Sequence, residues 1–123
     1  MEKIKGYKGL IVWQKSILLT DTIYAVTKSF PKEEIYGLTS QIRRSAVSVP
    51  SNIAEGSSRH GTSEFIQFLS IVKASLAEVD TQLIIAEHQN YISAKQMKEL
   101  DTLITEIDAM LYSLILTLKR KKS

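Results

Sequence analysis

The sequence predicts an all-α fold, an antiparallel up-and-down four-helix bundle. Three observations carry this: four long segments with apolar residues at three- and four-residue steps, short connections between them, and no sustained strand-like alternation. At 123 residues the chain makes most simply one domain, residues 1–123, with an N-terminal arm over 1–9 and a basic C-terminal tail over 119–123. The links "PKEE", "SSRHGT" and "NYIS" are short, which favours antiparallel neighbours.

The first helix is expected from about Leu10 to Ser29, with Trp13, Ile17, Tyr24 and Val26 among its apolar positions. It stops at Phe30-Pro31, because a residue preceding proline is pushed out of the α region. The third runs from Thr62, a candidate N-cap, to about Gln89, through Phe65, Phe68, Leu69, Val72, Leu76, Val79, Leu83 and Ala86. The fourth opens with a capping box, Ser93 with Gln96. It then places Met97, Leu100, Ile104, Ile107, Leu111, Leu114 and Leu118 on one stripe and ends in Lys119 to Lys122, cations that suit a helix C-terminus.

The second segment, "QIRRSAVSVPSNIAEGSSRH", holds Pro50 among polar residues and invites reading as a loop. As a strand, "AVSVP" alternates for only a few residues. As a helix, Leu38, Ile42, Ala46, Val49, Ile53 and Gly56 share one stripe that keeps its phase across the proline. A long helix follows, kinked near Pro50, with the proline off the stripe and Ser45, Ser48 or water covering the freed carbonyl of Ala46.

Composition narrows the chemistry. No cysteine is present, so thiolate zinc sites, disulfides and cysteine nucleophiles are excluded. The N-terminus lacks a signal-peptide pattern, and the longest apolar run, Ala109 to Leu118, is half of what a bilayer span needs, so a cytoplasmic protein without a membrane role is expected. The net charge of +3 is unevenly spread. Residues 1–60 carry nine Lys or Arg against five Asp or Glu, residues 61–118 carry three against eight, and "KRKKS" adds four more cations. That asymmetry points to an anionic partner or to head-to-tail self-association.

On a helical second segment, Arg44, Ser48, Ser51 or Asn52, Glu55 and Arg59 form a polar stripe with Arg43 beside it. A solvated face with ordinary salt bridges explains it; so does a ridge of guanidinium groups that grips phosphates in fork geometry. Asn52 and Glu55, three apart, form a structural polar network more readily than an acid–base pair, since no nucleophile or electrophile accompanies them. His60 and His88 fit no metal motif, no phosphate-binding glycine loop is present, and the acidic residues lack the pairing of di-iron bundles. No enzyme activity, metal or cofactor is therefore expected. The tyrosines and Trp13 could stack on bases but are dispersed along the chain, which suits packing better. The apolar end of the last helix with "KRKK" could bind acidic membranes, though a bundle helix with a basic end explains it more simply.

Three stretches carry a resemblance: "VWQKS" at 12–16, "FPKEEIYGLTSQIRRSAVSVPSNIAEGSSR" at 30–59 and "SEFIQFLSIVKASLAEVDTQL" at 63–83. Together they are similar to the four-helix bundle proteins of the 23S rRNA intervening-sequence family, across about Tyr7 to Leu118. Members of that family resemble the accessory protein of diversity-generating retroelements, a pentameric barrel that binds nucleic acid and a reverse transcriptase. The resemblance implies a bacterial, non-catalytic homo-oligomer, a ring of five, that associates with RNA. Its basic positions fall here on Arg43, Arg44, Arg59 and Lys15, the expected nucleic-acid contacts. The alternative it leaves open is a protein-interaction scaffold, an accessory subunit for a polymerase or reverse transcriptase. Ala74, where the family often has glycine, and Ser57, where it often has an aromatic residue, are departures that touch helix contacts and a turn.

Overall fold

The computed structural model describes residues 6–122 and contains four long helices, α1 (Ile11–Thr27), α2 (Leu38–Ser57), α3 (Thr62–His88) and α4 (Ala94–Lys122). The expected N-terminal arm lies partly outside the described residues; Gly6–Gly9 form a 3-10 turn against the start of α1. Helix α1 packs on α2 and α4, and α3 packs on the same two. This is the square of an up-and-down bundle, with α1 diagonal to α3.

The predicted stripes of α2, α3 and α4 lie on the buried faces of their helices. Of the apolar positions named for α1 only Val26 is buried; Trp13 and Ile17 are half-buried, Tyr24 is exposed, and Val12, Leu19 and Ile23 take the core positions instead. Leu19 and Ile23 from α1, Ile42, Val49 and Ile53 from α2, Leu69, Val72 and Leu83 from α3, and Leu100, Ile107 and Leu111 from α4 are all fully buried. Each contributes about 1.5–3 kcal/mol by leaving water, so these residues together outweigh any single cap or ion pair.

The helix ends follow from local chemistry. At α4 the capping box forms in both directions: the Gln96 amide donates to Ser93 Oγ at 3.1 Å, and the Ser93 amide donates to Gln96 Oε1 at 3.0 Å. Helix α3 ends in a left-handed residue, Asn90 (φ 65°), whose amide donates to Glu87 O at 2.9 Å while the Tyr91 amide donates to Ala86 O at 3.0 Å. That pair of bonds is a Schellman motif with asparagine in place of glycine. The start of α3 corrects the sequence reading, since Gly61 is the N-cap and Thr62 is already helical.

At the same end of the bundle, Glu34 joins the two turns. Its Oε1 accepts the Leu38 amide at the start of α2 (3.1 Å), and its Oε2 accepts the Tyr91 hydroxyl (3.0 Å). The bond to Glu34 raises the Tyr91 phenol above its ordinary pKa, with burial and the charges of Glu34 and Glu33 adding to it. Phe30 and Tyr91 pack ring to ring beside this link, centroids 5.3 Å apart.

Helix α2 continues through Pro50, as its unbroken stripe requires. Two details differ from expectation. Pro50 is buried rather than turned off the core face. The Ala46 carbonyl that its missing amide leaves open is reached by Thr20 Oγ1 of α1, at 3.3 Å, a hydroxyl that also donates to Ser16 O at 2.8 Å. Ser45 and Ser48 are occupied elsewhere, with Gln41 O and Ser75 Oγ. The donor comes from the neighbouring helix, so a local reading of α2 could not supply it. Thr20→Val is expected to destabilise by about 1 kcal/mol. In a Pro50→Ala background, where residue 50 regains an amide for Ala46, that cost should shrink; a double-mutant cycle in urea with no coupling would contradict it.

Candidate nucleic-acid interface

The four cations expected to contact nucleic acid do not converge. Lys15 on α1 pairs across the α1–α4 seam with Glu106, Nζ to Oε2 at 2.9 Å. Arg43 is half-buried on the α1–α2 side: its Nε donates to Thr27 Oγ1 at 2.9 Å, and its guanidinium lies 4.7 Å from the Tyr24 ring centroid. Arg59, just past α2, pairs with Glu55 at 3.2 Å and covers the Phe68 ring at 5.0 Å. Sixteen residues separate Arg43 from Arg59, about 24 Å along a helix axis. The outward face of α2 is Arg44, Val47, Ser51, Glu55 and Ser58, all exposed, so only Arg44 of the three arginines lies on it within the helix. No arginine ridge runs along this helix.

The polar pair also separates. Asn52 Nδ2 donates to Ser48 O at 2.8 Å and to Ser48 Oγ at 2.9 Å, and Ser48 Oγ meets Ser75 Oγ of α3 at 2.8 Å. Glu55 stays outside this network, with Arg59. Small side chains at these positions and Gly56 let α2 and α3 form the most extensive helix contact of the bundle.

A different cationic surface emerges where α3 begins and α4 ends. Helix α4 runs to Lys122, so the expected basic tail is, through that residue, its last helical turn. A groove of about 400 Å³ between the helices is lined by Ile66, Lys73, Tyr112, Leu116 and Lys119 among others. It shares Ile66 and Lys119 with a second hollow of about 420 Å³ that reaches Ser63, Gln67 and Lys122. Lysines thus rim an apolar floor beside Tyr112, which is 63% exposed. Arg59 lies at the same end, in the α2–α3 turn. Sequence spacing hid this site because Lys73 and Lys119 are 46 positions apart; the signal that could have found it is a tyrosine two helical turns before a cationic C-terminus.

The same seam reverses sign toward its other end. There an open groove of about 790 Å³ is lined by Asp80, Ile84, Glu87, Met97, Lys98 and Asp101 among others. Burial raises the Asp80 carboxyl above its ordinary pKa, and the charge of Asp101 raises it further. Among the described residues, no group of three or more His, Cys, Asp or Glu is arranged to hold a metal ion. No described helix is long and apolar enough to cross a membrane.

Fold and surface together define a small helical-bundle protein with charge of opposite sign at the two ends of one helix seam. The chain belongs to the 23S rRNA-intervening sequence protein family, whose sequence profile matches residues 8–113. It is similar to a crystal structure of a protein of unknown function from the S23 ribosomal protein family of Bacteroides thetaiotaomicron. That match has 26% identity and a TM-score of 0.79, and covers 85% of this chain and 98% of that one. A comparison with curated proteins finds no match.

Proposed function

We propose that this protein is a non-enzymatic homo-oligomeric bundle, a ring of five as the family resemblance implies, that binds RNA through the basic end of its α3–α4 seam. The observation that carries the reading is the groove that holds Lys73 and Lys119 beside exposed Tyr112, with Lys122 in the adjoining hollow that shares Lys119. Ammonium groups attract the phosphate backbone without regard to sequence, and a tyrosine face stacks on an unpaired base. The family's association with rRNA intervening sequences supports RNA over other polyanions. Repetition of a modest patch around a ring adds avidity that one chain lacks. Cations at a helix C-terminus also serve helix stability, which is why the test separates affinity from folding.

Lys73→Ala, Lys119→Ala and Lys122→Ala combined should weaken binding of a structured RNA carrying single-stranded loops at least tenfold. The slope of log affinity against log salt should become shallower by about 2, as three lost phosphate contacts require. Fluorescence anisotropy across a salt series, with circular dichroism to confirm the helices, measures both. Unchanged affinity and slope would overturn the assignment. Arg43→Ala with Arg44→Ala should have the smaller effect, because Arg43 is engaged with Thr27 and Tyr24. The scaffold reading makes a different forecast: a polymerase-type partner would stay bound after nuclease treatment.

A further inference from the structure

The turn between α1 and α2 displays Ile35, 56% exposed, and Tyr36, 95% exposed. These residues are held firmly. The Ile35 amide donates to Lys32 O at 3.1 Å, the Gly37 amide donates to Glu34 O at 2.9 Å, and the Glu34 carboxylate is tied to Leu38 and Tyr91. A fixed apolar knob loses little freedom when it is covered, and tyrosine is among the residues that carry most binding energy at interfaces.

Knob and acidic groove lie at the same end of the bundle, where α1 and α3 finish and α2 and α4 begin. They occupy opposite sides of the square, the knob on the α1–α2 connection and the groove on the α3–α4 seam. Their charges are complementary. Lys28 and Lys32 are exposed in the segment that leads to the knob, against exposed Glu33, whereas Asp80, Glu87, Asp101 and Glu106 line the groove, against Lys98. Ile84 and Met97 supply apolar lining for an inserted side chain. The crowding of Asp80 by Asp101 is a repulsion that a neighbouring cation would relieve.

We propose that the Ile35–Tyr36 knob of one chain seats in the groove between Asp80 and Asp101 of a second copy. This rests on the homo-oligomer reading and assigns its interface. The contact is heterologous, with two different surfaces meeting: the knob at the end of the bundle and a groove that runs from that end down the α3–α4 seam. Repeated heterologous contacts of this kind close into a ring when the rotation between copies permits.

Light scattering on the full chain after size-exclusion chromatography tests this. Tyr36→Ala and Asp101→Lys should each reduce the assembly to the 13.9 kDa monomer with helical content unchanged. An equimolar mixture of the two should form a dimer and nothing larger, because it contains only one kind of compatible pair, an intact knob with an intact groove. If the wild-type chain is itself monomeric at tens of micromolar, the homo-oligomer reading fails and this contact with it. If the variants keep the wild-type oligomer mass, the oligomer stands and this interface is overturned. Loss of RNA affinity in Tyr36→Ala without loss of mass would assign the knob to nucleic acid and overturn it equally.

Discussion

Gly56→Ala is expected to lower the unfolding free energy by about 2 kcal/mol, although alanine is the better helix former by about 1 kcal/mol. A Cβ at position 56 would lie 2.5 Å from Phe68 Cβ, and 3.1 Å from both Phe65 Cδ1 and Phe68 Cγ. Phe68 Cβ is attached directly to the α3 backbone, so no rotamer change moves it away. The two helices must separate instead, along the most extensive contact in the bundle. Overpacking of this kind costs about 1–3 kcal/mol, and the severity of the overlap places it at the upper end before the propensity gain is subtracted. Urea unfolding should show a lower midpoint with an unchanged slope. A midpoint equal to or above wild type would show that α2 and α3 are not in such close contact.

Ile53→Ala should cost more, about 2–5 kcal/mol, because Ile53 is fully buried and its removal leaves a cavity under the proline turn of α2. Against a total stability of about 5–15 kcal/mol for an ordinary domain, that is a substantial share of the folded state's margin. Ser51→Ala, two residues away on the exposed face, should change stability by no more than about 0.5 kcal/mol. The contrast between these neighbours tests the phase of α2 directly. Similar thermal midpoints for the two variants would mean that the stripe has been assigned to the wrong face.

The fold was legible because its determinants are local or periodic. The stripe from Met97 to Leu111 needed only three- and four-residue spacing, and Ser93 with Gln96 announced the start of α4 within one turn. The stripe through Ile42, Val49 and Ile53 overrode a proline whose cost is fixed by local chemistry. What the sequence concealed depends on residues far apart along the chain. Thr20 reaches Ala46 across 26 positions, Tyr91 reaches Glu34 across 57, and Lys73 and Lys119 line one groove only because α3 and α4 run antiparallel. The surroundings of Arg43 were hidden for a related reason: at the margin of the buried face they belong to α1, where Thr27 and Tyr24 engage its side chain.

The α2–α3 contact also fixes how the bundle lines up. From Ser48 to Gly56 along α2, and from Ser75 back to Phe68 along α3, the distances are each about two turns. Two marks on one helix therefore coincide with two marks on the other: a hydroxyl pair and a notch filled by an aromatic ring. Stripes of leucine, isoleucine and valine tolerate a slide of one turn, since each apolar side chain finds another of similar size. Here the slide would part the serines and drive Phe68 from the only glycine within α2, so one displacement loses both at once. The chain thereby lifts the near-degeneracy between native and slipped alignments that apolar stripes alone would leave.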